Sequence, residues 1–175
     1  MGRKSDYTAI AVVGMDPDNR IYVLDIDRFQ TDKVSEYYKH VLELHIKWGF
    51  RKLRAEVTAA QKTIVNTMKD EYIRKNGLVL SIDEHRPNRH QGSKEERMAA
   101  VLEPRYDNLQ IFHYQGGNCQ ILEDELVLEN PPHDDVKDAL ASVIEIAVPP
   151  RGMMLNRSQK TKQQIHPRFG GVLRK

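Results

Sequence analysis

The sequence predicts an α/β fold, a mixed β-sheet flanked by helices on both faces. Three observations carry this. Two β-branched runs separated by a turn-forming tetrapeptide stand at the start of the chain. Behind them, segments with apolar residues at three- and four-residue steps alternate with short apolar runs of strand length. Hairpin strands followed by alternating helices and strands form a sheet that is covered on both sides.

Residues 7–13, Tyr-Thr-Ala-Ile-Ala-Val-Val, favour an extended backbone and read as the first strand. Asp16-Pro-Asp-Asn19 is a turn, because Pro17 pre-sets φ and Asn19 tolerates a left-handed backbone. Residues 21–29 form the second strand of an antiparallel hairpin, with Tyr22, Leu24 and Ile26 expected on one face. Val34, Tyr37, Tyr38, Val41 and Leu44 then recur at helical spacing, and Gly49 closes that helix. A short strand is expected over 53–57, a helix over 59–75 and a strand over 78–82. After a polar loop, residues 94–102 read as a helix. Ser93 is its N-cap, Glu96 completes a capping box, and Pro104 ends it. Residues 109–112 suggest a short strand, and 121–128 fit either a helix or an extended segment. The last helix is expected over 136–148, between two Pro-Pro pairs. The domain therefore spans 1–150, and a basic tail spans 151–175.

A chain of 175 residues fits one domain with a full core. Its 39% hydrophobic and 30% charged residues describe a folded chain rather than a disordered one. No apolar run reaches the roughly 18 residues of a membrane span, so no membrane partner is expected. The start lacks the apolar stretch of a signal peptide. A single cysteine, Cys119, excludes an internal disulfide and a zinc site built on paired cysteines, which points to a reducing compartment. Nucleotide hydrolysis and acyl transfer lack their usual glycine-rich and nucleophile-elbow signatures. Residues 149–175 hold seven basic side chains and no Asp or Glu, against a net charge of +2, so the remainder of the chain is acidic. A basic tail on an acidic body suits a polyanionic partner. By composition, the tail is expected to be mobile from about Gly152 until it meets DNA.

Carboxylates stand at the ends of the expected core elements. Asp6 precedes the first strand, Glu56 lies in the short apolar segment Leu53-Arg-Ala-Glu-Val57, and Asp134, Asp135 and Asp138 bracket the start of the last helix. Asp135 and Asp138, three apart, share a helix face. Converging carboxylates repel one another and raise their own pKa values unless a divalent cation neutralises them. Mg²⁺ or Mn²⁺ takes such oxygen ligands, and two ions together promote phosphodiester cleavage. Each residue also has an ordinary role open to it. Asp134 is placed to be an N-cap, Asp6 a turn residue, and Glu56 a partner of Arg54 or Lys52. His133 is either a further ligand or a loop histidine. Arg86, Arg89, Lys94 and Arg97 cluster in one loop and the helix it opens, and are expected to contact phosphates without reading bases.

At these residues the chain resembles the nuclease domain of tailed-phage large terminases. The resemblance rests on Ser5-Asp-Tyr-Thr-Ala9 with the strand that follows, Ile21-Tyr-Val-Leu-Asp25, Ala55-Glu56, and Ser93-Lys-Glu-Glu-Arg-Met98 with Leu102-Glu-Pro104. It continues through His133-Asp-Asp-Val-Lys-Asp-Ala139 and His166-Pro-Arg-Phe-Gly-Gly171, in order along nearly the whole chain. It implies a ribonuclease-H-like fold and a site for two Mg²⁺ or Mn²⁺ ions. The implied activity is cleavage of concatemeric double-stranded viral DNA during genome packaging in the host cytoplasm. The implied partners are DNA, a portal protein and a small terminase subunit. Carried over residue by residue, the ligands are Asp6, Glu56 and Asp135, assisted by Asp138 or Asp134. The family's further Asp upstream of Ser5, and its ATPase motor, have no counterpart here. Both gaps suggest an excised domain with Met1-Gly2 as an artificial start. Two other readings stay open: a junction-resolvase-like or transposase-like nuclease of the same fold, and a non-catalytic module that docks DNA or the portal.

Overall fold

The computed structural model describes residues 7–57, 61–86, 92–128 and 131–150. Asp6, Arg89 and the tail 151–175 lie outside the described residues. The expectations placed on them, including mobility of the tail, fall there too.

Strands β1 (Thr8–Met15) and β2 (Ile21–Phe29) form the expected antiparallel hairpin. Asp16 builds its turn. One carboxylate oxygen accepts the amides of Asp18 and Arg20, both at 2.9 Å, while Asn19 takes a φ of 62°. The register slips once: Val12 pairs with Asp25, but Val13 pairs with Val23. Leu24 is therefore the extra residue of a β-bulge, which resets the alternation of the strand. Ile21, Val23 and Ile26 are the buried residues of β2, whereas Tyr22 is exposed. The single face of Tyr22, Leu24 and Ile26 expected from strict alternation is thereby corrected. Past the bulge, Arg28 shares the face of Ile26, and Asp25 and Asp27 point the other way.

That other face meets helix α1 (Val34–Trp48). Asp25 accepts from Lys47 and Trp48 at 2.7 and 2.8 Å, and Asp27 contacts His40 at 2.6 Å. Gly49 ends the helix with a φ of 63°. Next come β3 (Lys52–Glu56), α2 (Gln61–Thr67) and a π-helical stretch, Met68–Arg74, within the expected second helix. The wider turn puts Met68 and Ile73, five residues apart, into one buried cluster. Strand β4 (Ser81–His85) starts three residues later than the apolar pattern suggests. Gly77 turns the chain at a φ of 64°, and the Leu78 amide returns to the Ile73 carbonyl at 3.1 Å, so Leu78 finishes the helix.

Helix α3 (Lys94–Asp107) opens on the full capping box of Ser93 and Glu96. It runs through Pro104, three residues beyond where that proline was expected to stop it. The Arg105 guanidinium donates to the Val101 carbonyl at 2.6 Å, in the turn where the ring removes an amide donor. Strand β5 (Ile111–Phe112) follows, and α4 (Cys119–Val127) resolves the ambiguous segment as helix. Helix α5 (Asp135–Ile146) is the last described element.

The strands form two hydrogen-bonded sheets, β1-β2-β5 and β3-β4. The β1-β2 pairing is antiparallel, and β2-β5 and β3-β4 are parallel. On one face, Ile21, Val23 and Ile26 pack with Leu102, Leu122 and Leu140 from α3, α4 and α5. On the other, Ile10, Leu53 and Ile82 pack with Val41, Met68 and Ile73. Each fully buried aliphatic side chain contributes roughly 1.5–3 kcal/mol of transfer free energy, so α5, fixed through Val136, Leu140 and Ile144, is firmly seated on the sheet. No helix among the described residues is long and apolar enough to cross a membrane.

Candidate active site

Three elements bring charged groups to one place: the end of β3, the start of α3 and the first turn of α5. Glu56 closes β3 and is accessible to solvent. Desolvation by surrounding protein raises its pKa, and the negative charge of Asp138 raises it further. Lys94, Arg97 and His85 act in the opposite sense on Glu56. Lys94, the first residue of α3, reaches across to α5. Its ammonium lies 2.9 Å from Oδ1 of Asp134 and 3.3 Å from Oδ2 of Asp138. Desolvation works to lower the Lys94 pKa, and the two aspartates more than offset it. The positive end of the α5 dipole also favours Asp135 and Asp138 in its first turn.

Asp135 occupies a second subsite. Its Oδ2 lies 3.8 Å from Nη2 of Arg28 and 3.8 Å from Nδ1 of His133. The Arg28 guanidinium sits 3.8 Å above the Tyr7 ring, and Tyr7 meets His133 edge-on with centroids 4.9 Å apart. Tyr7 thus ties the entry to β1 to the entry to α5. Desolvation raises the Asp135 pKa, Arg28 and Lys94 pull it back, and the net shift is upward.

Asp134, Asp135 and Asp138 thus stand at the start of α5, Glu56 lies within electrostatic reach of Asp138, and Asp6 lies outside the described residues. Of the carboxylates, Asp138 acts most strongly on Glu56. The ordinary pairing of Glu56 with Arg54 is not formed. Arg54 binds Asp83 at 2.9 Å and also Glu145, joining β3 to β4 and α5. Asp134 stands at the N-cap position of α5 but makes no capping hydrogen bond. Among the candidate phosphate contacts, Lys94 is engaged with α5, Arg97 has a buried Nε without a partner among the described residues, and Arg86 is exposed.

Sequence reasoning missed Arg28, Tyr7 and Glu125. Glu125 is 3% exposed on α4, and its Oε2 accepts the Lys137 amide at 2.7 Å. The available signal was spacing: of the three consecutive acids Glu123, Asp124 and Glu125, only Glu125 continues the three-residue step of Cys119 and Leu122.

Carboxylate oxygens are hard donors and suit a hard divalent cation in donor chemistry. Among the described residues, no group of three or more His, Cys, Asp or Glu side chains is close enough to hold one.

No protein-family model matches the chain, and no curated protein matches it in sequence. Solved structures do. The chain is similar to Fowlpox virus resolvase in complex with Holliday junction DNA, with a TM-score of 0.52 at 13% identity over 79% of this chain and 89% of that one. It is also similar to T. thermophilus RuvC in complex with a Holliday junction substrate, with a TM-score of 0.47 at 13% identity over 81% of this chain and 87% of that one. The chain has a ribonuclease-H-like fold, a mixed sheet with helices on both faces.

Proposed function

We propose that this chain is a divalent-metal-dependent endonuclease of DNA. The observation that supports the proposal is the gathering of Asp134 and Asp138 on Lys94, at 2.9 and 3.3 Å, with Glu56 at the end of β3 within electrostatic reach of Asp138. Two acids from distant parts of the sequence feel each other's charge, and a lysine stands between helices as counter-charge. When bound, Mg²⁺ or Mn²⁺ supplies Lewis acidity toward a phosphodiester and a nucleophile at neutral pH. Glu56, Asp138 and Asp135 are the candidate ligands, with Asp134 assisting, and no three of these described acids stand close enough to hold an ion on their own. Asp6, one residue before Tyr7, would complete the set. Lys94, Arg97, Arg86 and Arg89 would hold the DNA backbone.

Two finer readings of the substrate remain, each with its own support. The likeness to a resolvase bound to a Holliday junction favours cleavage of branched DNA over the packaging reading. The ordered motifs from Ser5-Asp-Tyr-Thr-Ala9 to His133-Asp-Asp-Val-Lys-Asp-Ala139 support cleavage of concatemeric duplex during viral packaging. A portal protein and a small terminase subunit would be partners only in that second case.

One assay separates them. The protein is incubated with Mg²⁺ or Mn²⁺ and equal amounts of four-way junction, linear duplex and supercoiled plasmid. Preferential junction cutting supports a resolvase, and comparable cutting of plasmid and duplex supports the packaging enzyme. Both activities should vanish in Asp138→Asn. No cutting of any substrate by the folded protein would overturn the nuclease reading and leave a docking module.

A further inference from the structure

We propose that Glu125 is a positioning residue that caps α5 from α4 and thereby sets the carboxylates of Asp135 and Asp138. This rests on the nuclease reading above for its consequence, but its geometry stands apart from it.

The first amides of a helix have no partner within the helix, and the N-cap side chain ordinarily accepts from the second or third of them. In α5 that residue is Asp134, and its side chain makes no such bond. Its carboxylate is drawn off to Lys94 at 2.9 Å. The third amide, that of Lys137, donates instead to Oε2 of Glu125 at 2.7 Å. The Val136 amide, the second, also acts on the Glu125 carboxylate. A carboxylate twelve positions upstream thus does what the local aspartate does not.

The consequence is a division of labour. Asp134, Asp135 and Asp138 are spared from capping, and their oxygens are left for Lys94, Arg28 or a cation. Glu125 is 3% exposed, so the rotamer of the cap is fixed by packing and α5 is held against α4 at its charged end. Arg28 lies between the two acids. It acts electrostatically on Glu125 and stands 3.8 Å from Asp135. Among the described residues, its Nε and Nη2 are buried without hydrogen-bond partners, as is Oε1 of Glu125. The β-bulge at Leu24 is what aims Arg28 to this side of β2.

The test uses the full chain with Glu125→Ala and Glu125→Gln, since glutamine keeps an acceptor oxygen for the cap. Three kinds of measurement are made: hydrogen exchange at the Val136 and Lys137 amides, Mn²⁺ affinity by electron paramagnetic resonance, and the kinetics of DNA cleavage, kcat and KM. In the wild type the Lys137 amide should be protected, unusual for a first-turn position. Alanine should speed its exchange about fivefold or more. It should weaken Mn²⁺ binding and kcat about tenfold, with KM for DNA little changed. Glutamine should restore all three. An unprotected Lys137 amide in the wild type would overturn the cap even if the alanine variant does not fold. Glutamine as damaging as alanine would overturn it too, because charge on Arg28 would then matter rather than the acceptor. A wild type that cuts no DNA defeats the nuclease reading alone, since amide exchange still judges the cap.

Discussion

The ammonium of Lys94 stands 3.3 Å from Oδ2 of Asp138, at the meeting point of α3, β3 and α5. A monovalent side-chain cation thus sits against the carboxylate whose charge acts on Glu56. It offsets the repulsion within the acidic cluster.

Lys94→Met should therefore act in opposite directions on two ligands. Removing one positive charge should tighten Mn²⁺ binding to the DNA-free protein several-fold, because an opposing charge at short range is gone. The same change should weaken DNA binding about equally across sequences and lower its salt slope by about one unit. Calorimetric titration with Mn²⁺, and DNA binding measured at several salt concentrations, check both signs. Weaker Mn²⁺ binding in the folded variant would mean that Lys94 orders the aspartates rather than competing for them.

Glu56→Gln should change how stability depends on pH. A carboxyl whose pKa is raised in the folded state binds more protons there than in the unfolded chain. Its contribution is fully present below the unfolded pKa and is lost as pH rises through the higher folded value. At neutral pH the glutamine variant, without metal, should thus melt slightly higher than the wild type. The advantage should shrink as the pH falls toward the ordinary carboxylate range. Glu56 is open to solvent, so the effect is at most about 1 kcal/mol, or roughly 2–4 °C. Melting curves from pH 4 to 8 test it, and a wild type that gains on the variant as pH rises would reverse the assignment.

Arg54→Ala should loosen the site from outside it. Arg54 is mostly buried and binds Asp83 of β4 and Glu145 of α5, so it fastens the strand that carries Glu56 to the helix that carries Asp138. Both partners are half exposed, so the loss should be about 1–2 kcal/mol rather than the full cost of an unpaired buried charge. Denaturant unfolding measures this. Cleavage assayed well below the melting temperature should also fall, and unchanged cleavage would show that the two elements keep their alignment without the bridge.

Residue order alone made the hairpin, the helix closed by Gly49, the capping box of Ser93 and Glu96, and the final apolar helix legible, because each rests on periodicity or on contacts a few residues apart. The acidic segments were legible for the same reason, as charges standing where an apolar pattern begins or ends. Tertiary structure decided the rest. Strict alternation could not foresee the bulge at Leu24, which depends on the partner strand and moves Arg28 to the side of Asp135. Propensity placed a stop at Pro104, but packing of Leu102 and the Arg105 contact with Val101 carry the helix on to Asp107. The segment around Glu125 fitted two conformations until its apolar face met the core. The role of Asp134 also changed in three dimensions. By local sequence it is the natural cap of α5, yet Lys94 claims its carboxylate and Glu125 supplies the cap. Short-range rules specify which groups a backbone end requires. Only the assembled fold determines which distant side chain provides them.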